Sequence, residues 1–599
     1  MKSLPCLLFL TCLGILCGAP PSFAAPAYTL VEAEAVPTGA VKADSGASGG
    51  RYVSQDGAYQ LMIVTPLPAE GDAFTVWARV RGVAMQLKGV YADGSQHELN
   101  WEWDKPNGWK WVSFGKHTRA ELGAKLLLMR APDAAPNAGL DAVVITTDDT
   151  FTPERLMLAL SIPPRLPIPV TVDWNKTVTV AGPFAYGLNA FRGFDPTVTA
   201  NPMYQKNLAY MAPGLLRLHN AGMVGDSAGS ADAWVDYAHR RWDAAKIGKA
   251  LVGFPPGATL LINIPNWPSW MDADHDGFLD ADQTDAYARF CADLVRIVNR
   301  DLKKHVVFWE VTNERDENYF VNFHEAGGWG PLKDPAKPDR VEELARIYAQ
   351  CADAMKAVDP AIKVGGPAME RPDLAMFAER FARVAGPRLD FFSFHAYASG
   401  SRDDPDDVIF DHAAGFGGSV DAFRKALAAA VPGRTLPLFL DEYNVSYTWE
   451  TRDPRMTDIK SAVFDALAMT SAVTHGAAGT AAWNEYDGIY GKMDGGYHLR
   501  PSATLFHLLN ASMIGPVVSA ASADPQSVVA YAVKTTRGRS LLLINRTGYA
   551  QSVTLTGWGS KPTAQSLLAP AGYAETELTL AQLVAPLPLP ADSVTLLTQ

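Results

Sequence analysis

The sequence is short of cysteine, short of positive charge and, beyond its first residues, without long apolar runs. Five cysteines among 599 residues exclude the small disulfide-framework folds. Three of them, Cys6, Cys12 and Cys17, fall in an N-terminal leader. The other two, Cys291 and Cys351, lie in helix-like segments and read as buried small hydrophobes rather than a bridge. A formal net charge of −12 argues against nucleic acid and anionic membrane surfaces as partners. After the leader no apolar run reaches the ~18 residues of a membrane-spanning helix. No Gly-rich phosphate loop follows an early strand, and no short-period repeat is visible.

The leader, residues 1–25, has one positive charge at Lys2, an apolar stretch from Leu4 to Cys17, and small residues around Ser22-Phe23-Ala24. That is the layout of a secretory signal peptide, and it predicts a periplasmic or extracellular protein. Leu16 before Cys17, where a small residue is expected, disfavours lipoprotein processing.

Three kinds of segment follow. From 26 to 150 short alternating runs such as Thr75–Val80 and Val143–Ile145, punctuated by Gly, Asp and Pro, predict a β-sandwich. A Pro-rich stretch, 151–168, reads as a linker, and 169–180 as a strand joining the C-terminal sandwich. From 181 to 515 apolar strand runs alternate with amphipathic helical patterns: 183–189, 214–219, 258–264, 306–313, 362–366, 389–395, 436–442 and 478–483. Such alternation predicts a (β/α)8 barrel, with a doubly wound sheet as the rival. After 516 the β signals return and predict a C-terminal β-sandwich over 516–599.

Two of the barrel strands end in glutamate. HVVFWEVTNERDENYF, residues 305–320, carries Glu310, Glu314 and Glu317, and LPLFLDEYN carries Asp441 and Glu442. Active-site residues of such barrels come from the C-terminal strand ends. Strands four and seven face each other across the mouth, so Glu314 and Glu442 could flank one glycosidic bond, as retaining hydrolysis requires. Glu310 shares parity with Glu314 and should point inward one layer deeper, with Arg217 as its expected partner. Asp441 has the opposite parity to Glu442 and should face the helices, while Glu317 should be a solvated loop acid.

WEVTNERD and LFLDEYN resemble the clan of retaining (β/α)8 glycoside hydrolases that includes families 5, 10 and 39, and family 39 most of all. That family's strand-four pattern is roughly E-x-W-N-E-P; here Thr312 replaces the Trp and Arg315 the Pro. The resemblance implies Glu314 as general acid/base and Glu442 as nucleophile, acting on a carbohydrate with no catalytic cofactor. Tyr397 is the expected hydrogen-bond donor to the nucleophile. Asn313 (toward a sugar 2-hydroxyl), His219, Asn220, His395 and Trp483 (a stacking floor) complete the expected pocket. An endo-glycanase of the same clan is one alternative, and a non-catalytic polysaccharide-binding protein another, although a binder has no need of an acid pair.

Two segments are candidates for structural calcium, the first having an acidic solvated loop between strand three and its helix as the equal alternative. Asp272, Asp274, Asp276, Gly277 and Asp280 match positions 1, 3, 5, 6 and 9 of an EF-hand loop, with Gln283 in place of the position-12 acid. The N-terminal segments VEAEAVPTGAV, ASGGRYV and GLDAVVIT resemble carbohydrate-binding modules of families 6 and 35. That resemblance implies calcium at Glu32, Glu34 and Asp141, and Trp101, Trp103, Trp109 and Trp111 are the candidates for stacking on a glycan.

Overall fold

The computed structural model describes residues 28–599 except 36–38, 45, 49–50, 55–60, 69–70, 104, 132–137, 148–152, 154–165, 226–232, 256, 321–338, 450–451, 560 and 562. The expected signal peptide and nearly all of the Pro-rich stretch lie outside the described residues. The chain divides into two units, Met1–Pro164 and Arg165–Gln599.

The first unit packs a six-stranded sheet against a four-stranded one, both antiparallel. Gly139–Thr146 is buried along its whole length because strands flank it on both sides, Tyr28–Glu32 and Ala73–Arg81 among them. Ala73–Arg81 alternates, sending Phe74, Val76, Ala78 and Val80 into the core between the sheets.

The second unit is a closed barrel of eight parallel strands. In chain order they are β1 (Gly187–Asn189), β2 (Leu215–Leu218), β3 (Thr259–Ile264), β4 (Phe308–Val311), β5 (Lys363–Met369), β6 (Phe391–Ser399), β7 (Leu438–Ser446) and β8 (Gly479–Ala482). Helices such as Thr284–Val295, Val341–Val358 and Ile459–Thr474 cover the outside with apolar faces. Cys291 and Cys351 are buried free thiols in two of these helices. Ile168–Ala181 pairs with Gly515–Ser522 and Gln551–Thr556, so a strand before the barrel is built into the nine-stranded C-terminal sheet.

Inside the barrel the side chains are layered. Leu215, Leu261, Phe391 and Phe439, with Phe184 and Phe308 against them, plug the N-terminal end with apolar and mostly aromatic side chains. One step up, Arg217, Asn263, Glu310, Ser393 and Asp441 form a fully buried polar layer. Alternation from the plug sets this layer on β2, β3, β4 and β6, because 215/217, 261/263, 308/310 and 391/393 share parity.

On β7 the same step, 439/441, sets Asp441 in this layer, and alternation fails only at the next residue. Phe394 pairs with Leu440, but His395 pairs with Glu442, leaving Asp441 as the extra residue of a bulge. Asp441 therefore points inward with Phe439, and Glu442 points inward as well. This corrects the expectation that Asp441 faces the helices: strict two-residue periodicity does not survive a bulge.

Candidate active site

Glu314 is placed by a strained strand end. Beyond β4 the chain leaves the extended region at Thr312 (φ 68°) and again at Glu314 (φ 55°), conformations that side-chain-bearing residues adopt at a cost. Three backbone hydrogen bonds hold the segment: Thr312 N to Ile264 O, Asn313 N to Pro265 O, and Glu314 N to Ala368 O at 2.8 Å. The last ties the acid to the end of β5.

One oxygen each of Glu314 and Glu442 and one ring nitrogen of His395 lie within 4.8 Å of one another. Glu314 Oε1 is hydrogen-bonded to His395 Nδ1 at 2.7 Å. Burial drives His395 down to about 4, so the ring is neutral at ordinary pH. Burial lifts Glu314 to about 7, partly offset by Arg217. The Glu314 side chain keeps 33 % of its surface open to the cleft, which is the access a proton donor needs.

Glu442 is gripped from two sides. Tyr397 donates its hydroxyl to Oε1 at 2.6 Å, and Arg217 Nη1 donates to Oε2 at 3.1 Å. Burial raises the Glu442 carboxyl above its ordinary range, while the Arg217 charge and the Tyr397 hydroxyl pull it back toward the ionised form. Arg217 also donates from Nε to Glu310 Oε2 at 2.8 Å, from Nη1 to Asn189 Oδ1 at 2.9 Å, and from Nη2 to Asn313 Oδ1 at 2.6 Å. With its oxygen so occupied, Asn313 has its amide N–H groups left to donate. Glu310 further accepts from Asn263 Nδ2 at 2.8 Å and from Ser393 Oγ.

The mouth opens into a cleft of about 400 Å³ lined by His219, Asn266, Trp267, Asn313, Glu314 and Glu317, among others. Burial keeps His219 neutral; its Nδ1 is hydrogen-bonded to Asn263 Oδ1 at 2.8 Å. Trp483 packs edge-on against Phe191 at 4.9 Å and beside His219 at 5.6 Å, forming a half-buried wall. Two expectations change. Asn220 is committed to backbone, donating to Phe191 O at 3.1 Å and accepting from Gly222 N at 2.7 Å, so it shapes the loop after β2. Glu317 lines the cleft and is half-buried, because the short helix Asp316–Tyr319 turns it back over the mouth.

Sequence reasoning missed Asn189, Asn263, Ser393 and Asp441 as parts of the site and gave Arg217 only one of its three carboxyl partners. A cation in the middle of the apolar run LLRLH was the available signal for Arg217. Glu485, fully buried just past β8, was also missed. It accepts from Phe191 N, Arg192 N and Tyr204 Oη, pinning the loop after β1.

In the loop after β3, one oxygen each of Asp272, Asp274 and Asp276 lie within 4.8 Å of one another, around Gly277 at φ 85°. That donor set suits a hard cation. Asp280 instead turns back to accept from Ala273 N at 3.1 Å, and Gln283 precedes the helix Thr284–Val295. In the N-terminal unit Glu32 Oε1 accepts from Ser48 Oγ at 2.7 Å, while Asp141 accepts from Ser48 N at 2.8 Å and is ion-paired to Arg79. Among the described residues Glu32 Oε2 and Glu34 Oε2 are buried without a donor, which a cation would satisfy, although Arg79 already neutralises Asp141.

Burial also raises Asp316 and Glu485 to about 7 and Glu370 to about 9. Between about pH 4.5 and 7 these groups and Glu314 hold protons in the folded chain that the unfolded chain has released, so stability falls as pH rises through that window. Tm by calorimetry is expected to be higher at pH 5 than at pH 8 by roughly several degrees.

Residues 270–485 match the model of glycosyl hydrolases family 39, and residues 525–596 match that of a D-apionate lactonase C-terminal immunoglobulin-like domain. A beta-xylosidase from Caldicellulosiruptor saccharolyticus is 29 % identical over 163 residues, which cover 26 % of this chain and 30 % of that relative. Among solved structures, a monomeric beta-xylosidase from Caulobacter crescentus superposes with a TM-score of 0.50 at 17 % identity, covering 72 % of this chain and 98 % of its own. A family 51 alpha-L-arabinofuranosidase from Bifidobacterium longum gives 0.50 at 14 % identity, covering 73 % and 99 %. These structural likenesses show a shared barrel fold, and the stretch matching family 39 carries both Glu314 and Glu442.

Proposed function

We propose that the protein is a secreted, retaining glycoside hydrolase, xylosidase-type or a related exo-glycosidase, acting on polysaccharides or oligosaccharides. The observation that carries the mechanism is the closeness of the two carboxylates, within 4.8 Å at their nearest oxygens. Retaining enzymes use about 5–5.5 Å between the carboxyls, whereas inverting ones leave room for a water at about 6.5–9.5 Å.

Glu442, held ionised by Arg217 and Tyr397, attacks the anomeric carbon. Glu314 gives its proton to the departing oxygen, and a glycosyl ester forms on Glu442. Glu314, now a carboxylate, takes a proton from water as that water attacks the same carbon and releases Glu442. The second step restores both starting protonation states. The Asn313 amide donates toward the sugar 2-hydroxyl, and Trp483 supplies an apolar wall. The test is hydrolysis of an aryl-glycoside panel, with the anomer of the first product read by proton NMR. Net retention supports the reading; net inversion sinks it.

The N-terminal unit suits glycan binding at one edge of its four-stranded sheet. Trp101 and Trp103 stack at 4.7 Å, and Trp103 leaves 62 % of its surface exposed. Trp109 is instead covered by Arg81 at 4.6 Å, and Trp111 is half-buried. Trp103→Ala is expected to weaken retention on insoluble polysaccharide by about 3–10-fold, with turnover of small aryl glycosides unchanged.

A further inference from the structure

The bulge on β7 brings a third carboxyl to Arg217. Asp441 is fully buried; its Oδ2 lies 3.3 Å from Arg217 Nε, which also reaches Glu310 at 2.8 Å, while Nη1 reaches Glu442 at 3.1 Å. Among the described residues Glu310, Asp441 and Glu442 share this one guanidinium, and one cation cannot neutralise three buried carboxylates.

The hydrogen bonds say which carboxyl gives way. Glu310 accepts from Asn263, Ser393 and Arg217, and Glu442 accepts from Tyr397 and Arg217, so both are served as anions. Among the described residues no donor hydrogen-bonds to either oxygen of Asp441. Its neighbour is the carboxyl of Glu310, toward which it can only donate.

From β1, Asn189 donates to the Asp441 main-chain oxygen at 2.7 Å. From β6, His395 Nε2 stands 3.7 Å from Asp441 Oδ1. Beyond them at the mouth lie His219, Glu314 and Tyr397, and behind β7 Asp465 pairs with Lys492 at 2.6 Å. None of these offers Asp441 a second cation at ion-pair distance, since His395 is neutral.

We propose that Asp441 works as a neutral carboxylic acid sharing one proton with Glu310, so that Arg217 is divided between Glu310 and Glu442 alone. Asp441 is thus a positioning residue: it leaves Arg217 enough positive charge to keep the nucleophile ionised and aimed, without adding a third anion to the barrel. Burial first, and the facing Glu310 second, push the Asp441 carboxyl well above the usual range, while Arg217 and these hydrogen bonds hold Glu310 below it.

The catalytic consequence rests on the retaining reading above, but the protonation state is read without turnover. An infrared difference spectrum, wild type minus Asp441→Asn at pH 7, is expected to show a protonated-carboxyl C=O band and no lost carboxylate band. Loss of a carboxylate band would overturn the proposal whatever the enzyme hydrolyses. On a turned-over aryl glycoside, Asp441→Asn is expected to keep kcat/KM within about threefold with its acidic limb unmoved. Removing a true anion would instead strengthen Arg217's hold on Glu442 and move that limb to lower pH by about one unit; that too would overturn it. Asp441→Leu, which cannot donate to Glu310, is expected to lose about tenfold or more. A wild-type rate and pH profile in the leucine variant would show that Asp441 positions nothing, and if it does not fold the asparagine variant decides alone.

Discussion

Glu442→Ala is expected to lower kcat by about 10⁴-fold or more, equivalent to about 5 kcal/mol of transition-state stabilisation. The loss is expected even with an activated aryl leaving group, because departure of that group does not replace the attacking oxygen. The variant should also fail to take up a mechanism-based 2-fluoro sugar that becomes ester-linked to the wild type. Peptide mapping of the labelled wild type should place the sugar on the segment LFLDEYN. A label on any other carboxylate, or undiminished labelling of the alanine variant, would overturn the nucleophile assignment. The fold should survive: Tyr397 and Arg217 lose one acceptor, but Arg217 keeps Glu310, Asn189 and Asn313.

Glu314→Gln carries the second large effect, and its size should depend on the leaving group. With an alkyl or sugar leaving group, which needs protonation, kcat/KM is expected to fall by about 10²–10⁴-fold. With a dinitrophenyl leaving group the first step needs no acid and should be nearly unchanged, while the ester accumulates because no base activates water. Added azide, which needs no base, should then release a glycosyl azide of retained configuration. Equal losses on both substrate types would remove Glu314 from the acid/base role. The pH profile supplies a further check. Glu314 acts as an acid only while protonated, and burial sets its midpoint at about 7, so wild-type kcat/KM should fall as pH rises through 7. The Gln variant should lose that basic limb.

Both predictions concern residues visible as the last letters of apolar strand runs. The eight barrel strands follow from runs whose Gly, Pro and helix-period boundaries could be read directly, and the observed strands from Gly187–Asn189 to Gly479–Ala482 fall on them. Glu314 and Glu442 stood out because carboxylates rarely end such runs without a task. Glu310 could be placed one layer below Glu314 because the two share parity on one strand, and the structure gives it Arg217 as partner. These are local inferences: periodicity within one element fixes which face a side chain takes.

What stayed hidden depended on more than one element. That Asp441 and Glu442 both face inward turns on a bulge, which is a register mismatch between β7 and both neighbours and leaves no mark in the order of residues on β7 itself. Asn220 belonged by type to a binding site, but the loop after β1 presents the Phe191 carbonyl that absorbs its amide. Glu317 read as a solvated acid until the turn at Asp316–Tyr319 brought it to the cleft. The threefold use of Arg217 required β2, β4 and β7 to converge at one height in a closed barrel.

The sequence by itself determined the alternation of strands and helices, the layered faces of each strand and the two acids at the mouth, because hydrophobic periodicity and strand ends are properties of contiguous residues. The tertiary structure alone decided which carboxyls meet which donors and how the charges are shared. Burial and proximity set those protonation states, and both arise only when separate strands close around a common centre.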